Sequence, residues 1–138
     1  MNSNCLSTDQ LAAALPVPGL DVAKATVQAE LQTNGNKMRF GFANNAKGFA
    51  QLARILKECK AAKVWAGLEA SGPYSHALAL WLHGQEHGVS LLNPRRVKQY
   101  ACSAGNRNKT DLMDAAIIAD FVCAMKPALW QPPTVEVA

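Results

Sequence analysis

The 138-residue sequence predicts an α/β domain, a mixed sheet of about five strands with helices on both faces. Three observations predict it. Strand-like segments fill the first third of the chain around a sharp Asn34-Gly35 turn. Helical periodicity then alternates with short apolar runs. The first strand leads into a hairpin, not into a glycine-rich phosphate loop and helix, which separates the chain from doubly wound nucleotide-binding folds.

The elements follow in order. Residues 1–16 read as an irregular leader, because Pro16 and Pro18 stop the helical turn that residues 11–15 could begin. The first strand is expected at 19–23, GLDVA. The preceding prolines predict that it is short, since proline in a central strand removes a ladder donor. Residues 25–33 form a second strand. Met38, Phe40 and Phe42 alternate on a third, completing an antiparallel meander. Phe49, Leu52, Ala53, Leu56 and Cys59 then recur at helical spacing, with Arg54, Lys57 and Lys60 on the other faces.

Residues 62–68 read as a buried parallel strand. Gly72-Pro73 ends it and opens a helix, with Pro73 near the first helical position, running to about His83. Gly88 precedes a strand at 89–92, and Pro94 starts a short basic helix. After a loop rich in Ser, Gly and Asn, residues 111–124 form a helix with Leu112, Ala115, Ala119 and Val122 on one packing stripe. Residues 126–138, with Pro127, Pro132 and Pro133, read as a tail or the start of a linker, so the domain is expected at 17–125. This order is that of ribonuclease-H-like domains.

Composition bounds the function classes. The chain is 49% hydrophobic and 17% charged, enough for one core and too short for two ordinary domains. Its longest apolar runs fall far short of a bilayer span. The opening MNSNCLSTDQ lacks the basic start of a signal peptide, so a cytoplasmic location is expected. The four cysteines have no CxxC spacing, which argues against a disulfide scaffold or a cysteine zinc site. His83 and His87 are four apart but are interrupted by Gly84, and read as surface or helix-end histidines.

Charge distribution says more than the net +4. Arg95, Arg96, Lys98, Arg107 and Lys109 fall in a stretch without a carboxylate, and Asp111 and Asp114 follow at once. A basic run beside paired acids suits an anionic polymer next to a metal site. Most other acids have mundane readings: Glu30, Glu58 and Glu86 as solvent-facing, Asp9 and Glu136 in the ends, Asp120 as surface.

Four carboxylates stand apart. Asp21 interrupts the first apolar strand, and Glu69 ends the fourth. Asp111 and Asp114, at i and i+3, share a helix face. Singly, each has a structural reading as a turn residue, strand end, helix cap or first-turn acid. Together, like charges in a cleft are costly unless cations neutralise them. Magnesium takes oxygen ligands of this kind, and two such ions about 4 Å apart can serve phosphodiester cleavage.

The segments GLDVAK at 19–24, GLEASGPY at 67–74 and NPRRVKQYACSAGNRNKTDLMDAAIIADF at 93–121 resemble the N-terminal domain of DEDD transposases. These insertion-sequence enzymes are related to the Piv and MooV DNA invertases. The resemblance covers about residues 19–125, and its long third block, with KTDxxDA inside it, is the most specific part. It implies a RuvC-like, ribonuclease-H-like fold and a catalytic, magnesium-binding tetrad of Asp21, Glu69, Asp111 and Asp114, with manganese as a possible substitute. It also implies DNA as partner, in some members a structured guide RNA, and a homo-oligomeric full-length protein. Arg95, Arg96, Lys98, Arg107 and Lys109 are expected to contact nucleic acid. Thr110 is expected to support the helix start.

Full-length members carry a C-terminal domain with a serine thought to cleave the strand, and this chain is expected to stop before it. The expected function is therefore magnesium-dependent DNA strand cleavage and transfer in transposition. The alternative is a catalytically incomplete nucleic-acid-binding fragment of a truncated transposase. An actin-like phosphotransferase fragment would need a second phosphate loop, and none is visible in the sequence.

Overall fold

Residues 15–33, 36–70, 72–103 and 115–133 are described by a computed structural model of the chain. The Asn34-Gly35 turn, the leader up to residue 14, and Arg107, Lys109, Thr110, Asp111 and Asp114 lie outside the described residues. The elements run β1 (Val17–Val22), β2 (Thr26–Thr33), β3 (Asn36–Ala43), α1 (Ala46–Glu58), β4 (Trp65–Glu69), α2 (His76–Gly84), β5 (Gly88–Leu92), α3 (Pro94–Ser103) and α4 (Ala115–Met125).

The strands form one sheet in the order β3-β2-β1-β4-β5. β1 and β2 pair antiparallel, as do β2 and β3, whereas β4 runs parallel to both β1 and β5. The sheet is therefore the predicted mixed α/β sheet, with β1 at its centre. Strand alternation sorts the residues between two cores. Leu20, Val27, Ala29, Leu31, Phe42, Ala66, Leu68 and Val89 share one core with Phe49, Leu52 and Leu56 of α1 and Leu78, Ala79 and Leu82 of α2. Val17, Trp65 and Leu92 meet Val97 and Ala101 of α3 and Ile117, Ile118, Phe121 and Val122 of α4 in the other. One helix pair thus covers each face.

Local chemistry sets the helix ends. The Asn45 side chain accepts from the Gly48 amide at 2.9 Å and caps α1. Asn93 caps α3, its side-chain oxygen accepting from the Arg95 amide at 2.8 Å. Pro94 fills the first helical position, where a missing N–H costs nothing. α1 and α2 stop alike: the Ala61 amide returns to the Leu56 carbonyl and the His87 amide to the Leu82 carbonyl. Lys60 and Glu86 take the left-handed position in the two stops, at φ 59° and 67°.

Several boundaries differ from the sequence reading, each for a physical reason. β1 begins at Val17 and runs through Pro18. The pairing with β4 starts only at Gly19↔Gly67, so the proline precedes that ladder. β4 begins at Trp65, not residue 62, because the Val64 amide donates to the His87 ring at 3.1 Å. α2 begins at His76 and not near Pro73, because Gly72, at φ 72°, and a Pro73–His76 turn first reverse the chain.

Residues 127–133, read above as tail or linker, include a stretch that runs along the outer edge of β5. The Trp130 amide donates to the Val89 carbonyl at 2.7 Å. The buried Ser90 hydroxyl accepts from the Trp65 indole N–H at 2.9 Å and meets the Ala128 carbonyl at 2.9 Å. Trp130 also sits edge-on to His83.

Candidate metal centre

Asp21 lies near the end of β1 and Glu69 at the end of β4, on adjacent parallel strands. Their register pairs Gly19 with Gly67 and Leu20 with Leu68. Continuing it by one residue sets Asp21 opposite Glu69, at the roughly 4.8 Å spacing of neighbouring strands. Leu20 and Leu68 are fully buried on the α1–α2 side. Alternation therefore turns Asp21 and Glu69 to the other face, the one that α4 covers. Both residues are half-buried.

Two glycines seat α4 against this part of the sheet. A Cβ on Gly19 would collide with the Ala115 carbonyl oxygen and lie 2.5 Å from the Ala119 amide nitrogen. A Cβ on Gly67 would lie 2.5 Å from a Val122 methyl. Only residues without side chains let the helix backbone approach β1 so closely. The first turn of α4 thus sits over Gly19, two residues before Asp21. Ala115, which opens that turn, follows Asp114 directly in the chain.

Asn44 ties the two carboxylate-bearing ends together. Its Nδ2 donates to the Ala23 carbonyl, just beyond β1, and to the Tyr74 carbonyl in the loop after β4, both at 2.9 Å. Its own amide donates to the Ala25 carbonyl at 2.9 Å. Its Oδ1 is buried without a partner among the described residues. Sequence reasoning missed this residue, because an asparagine between a strand and a helix reads as an ordinary turn.

Two acids also depart from expectation. Glu30 is buried, not solvent-facing. It pairs with Gly19 in register, which puts it on the α4 face beside a residue that has no side chain to shield it from the helix. Arg39 Nε lies 2.9 Å from its carboxylate, and Gln32 Nε2 donates to it at 3.1 Å. Asp120 is half-buried and accepts from Gln32 Nε2 at 2.8 Å, so it links α4 to β2 and is not a plain surface residue. Desolvation, then Asp120, hold the nearby Cys123 thiol above its ordinary value, with Lys37 acting the other way. That is the opposite of an activated thiolate.

Arg95, Arg96 and Lys98 are exposed on α3. Arg95 and Lys98 line a groove of about 460 Å³ with Gln99, Cys102 and Ser103. Among the described residues no three His, Cys, Asp or Glu side chains come together. The carboxylates of Asp21 and Glu69 are hard oxygen donors, the kind that magnesium takes one or two at a time. The donor set present therefore fits that ion.

A mixed sheet in this strand order, with acids at adjacent central strand ends and helices on both faces, defines a ribonuclease-H-like domain. Two solved structures of the Thermus thermophilus RuvC share the fold. One, in complex with a Holliday junction substrate, aligns with a TM-score of 0.52 at 12% identity over 80% of this chain and 96% of that one. The other aligns with a TM-score of 0.54 at 14% identity over 83% and 99%. The sequence matches the DEDD transposase family, described as "Transposase", over residues 18–135, and the chain belongs to that family. It is 35% identical over 116 residues to a pilin gene-inverting protein of Moraxella lacunata and 34% identical to that of Moraxella bovis. These matches cover 83% of the chain but 36% of each relative's length.

Proposed function

We propose that the chain is the metal-dependent strand-cleaving domain of a DNA transposase or site-specific recombinase. The observation that carries this reading is the β1–β4 register, which continues to an Asp21–Glu69 pair beneath the start of α4. Asp111 and Asp114, just before that helix in the chain, complete the proposed tetrad. Magnesium held by these carboxylates supplies neutralisation of phosphate charge and activation of the attacking group.

The remaining roles belong to the protein. Asp21 and Glu69 offer ligands from a rigid sheet, which fixes their separation better than loops would. Asn44 holds the turn after Asp21 against the loop after Glu69. Arg95, Arg96 and Lys98 on α3, with Arg107 and Lys109, neutralise DNA phosphates and set the register of the strand without reading its bases. A homo-oligomer and, as a second nucleic-acid partner, a structured guide RNA belong to the same proposal.

Calorimetric titration with magnesium or manganese tests the site. Asp21→Asn combined with Asp114→Asn abolishes the heat of binding, and unchanged affinity in that double variant overturns the assignment. Incubation with branched or element-end DNA separates cleavage by the chain from binding without cleavage.

A further inference from the structure

The C-terminal ends of α1 and α2 flank a cavity of about 490 Å³ at the end of the sheet opposite Asp21 and Glu69. Lys63 precedes β4 and Glu69 ends it, so the length of that strand, roughly 17 Å at 3.3 Å per residue, separates the two places. The volume lies within the roughly 300–1,000 Å³ of small-ligand clefts. Its lining combines Lys57, Lys60, Lys63, Trp81, Gln85 and His87 with an apolar floor.

The lysines are not equivalent. Lys63 Nζ donates to the Gln85 carbonyl at 2.8 Å and lies 3.6 Å from the exposed Glu86 carboxylate, so it serves the end of α2. Among the described residues, Lys57 and Lys60 have no carboxylate partner. The two helix C-termini contribute about half a negative charge each, which leaves the rim positive. Lys60 holds the left-handed position that glycine occupies at least cost, and its side chain lines the cavity.

The aromatic wall is preorganised. Trp81 is half-buried and makes tilted ring contacts with Phe49, 5.7 Å away between centroids, and His87 at 6.4 Å. His87 Nδ1 accepts from the Val64 amide, so the neutral ring carries its proton on Nε2 as a donor. Burial and the Lys63 charge lower the pKa of His87 to about 4, which keeps the ring neutral at pH 7.

We propose that this cavity binds one unpaired nucleotide of a nucleic-acid strand, its base against the Trp81 indole and its phosphate held by the Lys57 and Lys60 ammonium groups. A flat aromatic surface beside point cations is the combination that holds single strands without reading sequence. The inference rests on the reading of the chain as a domain that acts on nucleic acid, but not on its carboxylates.

Indole N–H resonances of the chain, followed during titration with short oligodeoxyuridylate and oligouridylate, which differ only in the sugar, test the site. Trp81→Phe assigns the signal. The Trp81 resonance moves while that of the fully buried Trp65 stays. Lys57→Ala with Lys60→Ala weakens binding roughly tenfold and lowers the salt slope by about 0.7, one phosphate contact on a single strand. The tighter of the two probes identifies deoxyribose or ribose as the source. Asp21→Asn leaves these effects intact, so a failed metal titration overturns the cleavage reading without touching the cavity. A Trp81 signal unmoved by either probe, or parent-like binding by the double-lysine variant, overturns the cavity assignment.

Discussion

Gly19→Ala is the substitution that most directly tests how α4 is seated. The new Cβ meets backbone on the helix, colliding with the Ala115 carbonyl oxygen and lying 2.5 Å from the Ala119 amide nitrogen. Ordinary contact needs about 3.5 Å, so the shortfall is about 1 Å. No side-chain rotation relieves it, because the opposing atoms are main chain. The helix must lift, loosening Ile118 and Val122, both fully buried against the sheet. Overpacking costs about 1–3 kcal/mol, and a backbone collision belongs at the upper end, about 3 kcal/mol. At roughly 3–4 °C per kcal/mol for a domain of this size, Tm falls by about 10 °C. Because Asp114 immediately precedes the displaced turn, magnesium affinity falls as well. Thermal melting followed by circular dichroism, with calorimetry at a temperature where the variant is folded, measures both. Gly84→Ala is the control: its Cβ meets nothing within 4 Å, and it stabilises by a few tenths to about 1 kcal/mol. A Gly19→Ala melt within 1 °C of the parent would refute the seating of α4.

Three other substitutions probe the surroundings. Arg39→Ala removes a partner of the buried Glu30 carboxylate and costs about 2 kcal/mol in urea unfolding, and adding Glu30→Gln recovers most of the loss. Asn44→Ala costs about 1 kcal/mol and weakens magnesium binding, while Asn44→Asp is worse than alanine because a carboxylate then faces two carbonyl oxygens. His87 titrates at about 4 when folded against 6.5 for the free group, so the unfolded chain binds the extra proton between those values. Stability from this residue is present above pH 6.5 and is lost as pH falls toward 4. His87→Asn, which keeps an acceptor for the Val64 amide, flattens that part of the stability profile.

Much of the architecture was legible in the sequence because period and punctuation agree there. Met38, Phe40 and Phe42 alternate, Phe49, Leu52 and Leu56 recur at helical spacing, and Pro94 marks a helix start that the structure also uses. What was not legible depended on partners distant in the chain. Glu30 is written among polar neighbours, and only its register opposite Gly19 shows that α4 covers it. The start of β4 turns on a histidine 23 residues beyond Val64. The helix expected at Pro73 begins at His76, because one left-handed glycine redirects the chain first. For the candidate site, the sequence singled out Asp21 and Glu69 from acids interrupting apolar strands. The parallel register of β1 and β4 sets them side by side, whereas Asn44 carried no periodic or compositional signal at all.

The chain beyond α4 covers part of one edge of this sheet. An exposed β-strand edge invites another strand to add to it. At β5 the Val89 carbonyl is already taken by the Trp130 amide, and the Ser90 hydroxyl fastens the same segment from inside. At β3, the opposite edge, the exposed cations are Lys37 and Arg39, the latter paired with Glu30 on the neighbouring strand. A second copy docking by strand addition would have to peel away Trp130 on one side or approach those cations on the other. Among the described residues, strand addition is therefore disfavoured at both edges, and the strands that align Asp21 with Glu69 lie in the interior of the sheet.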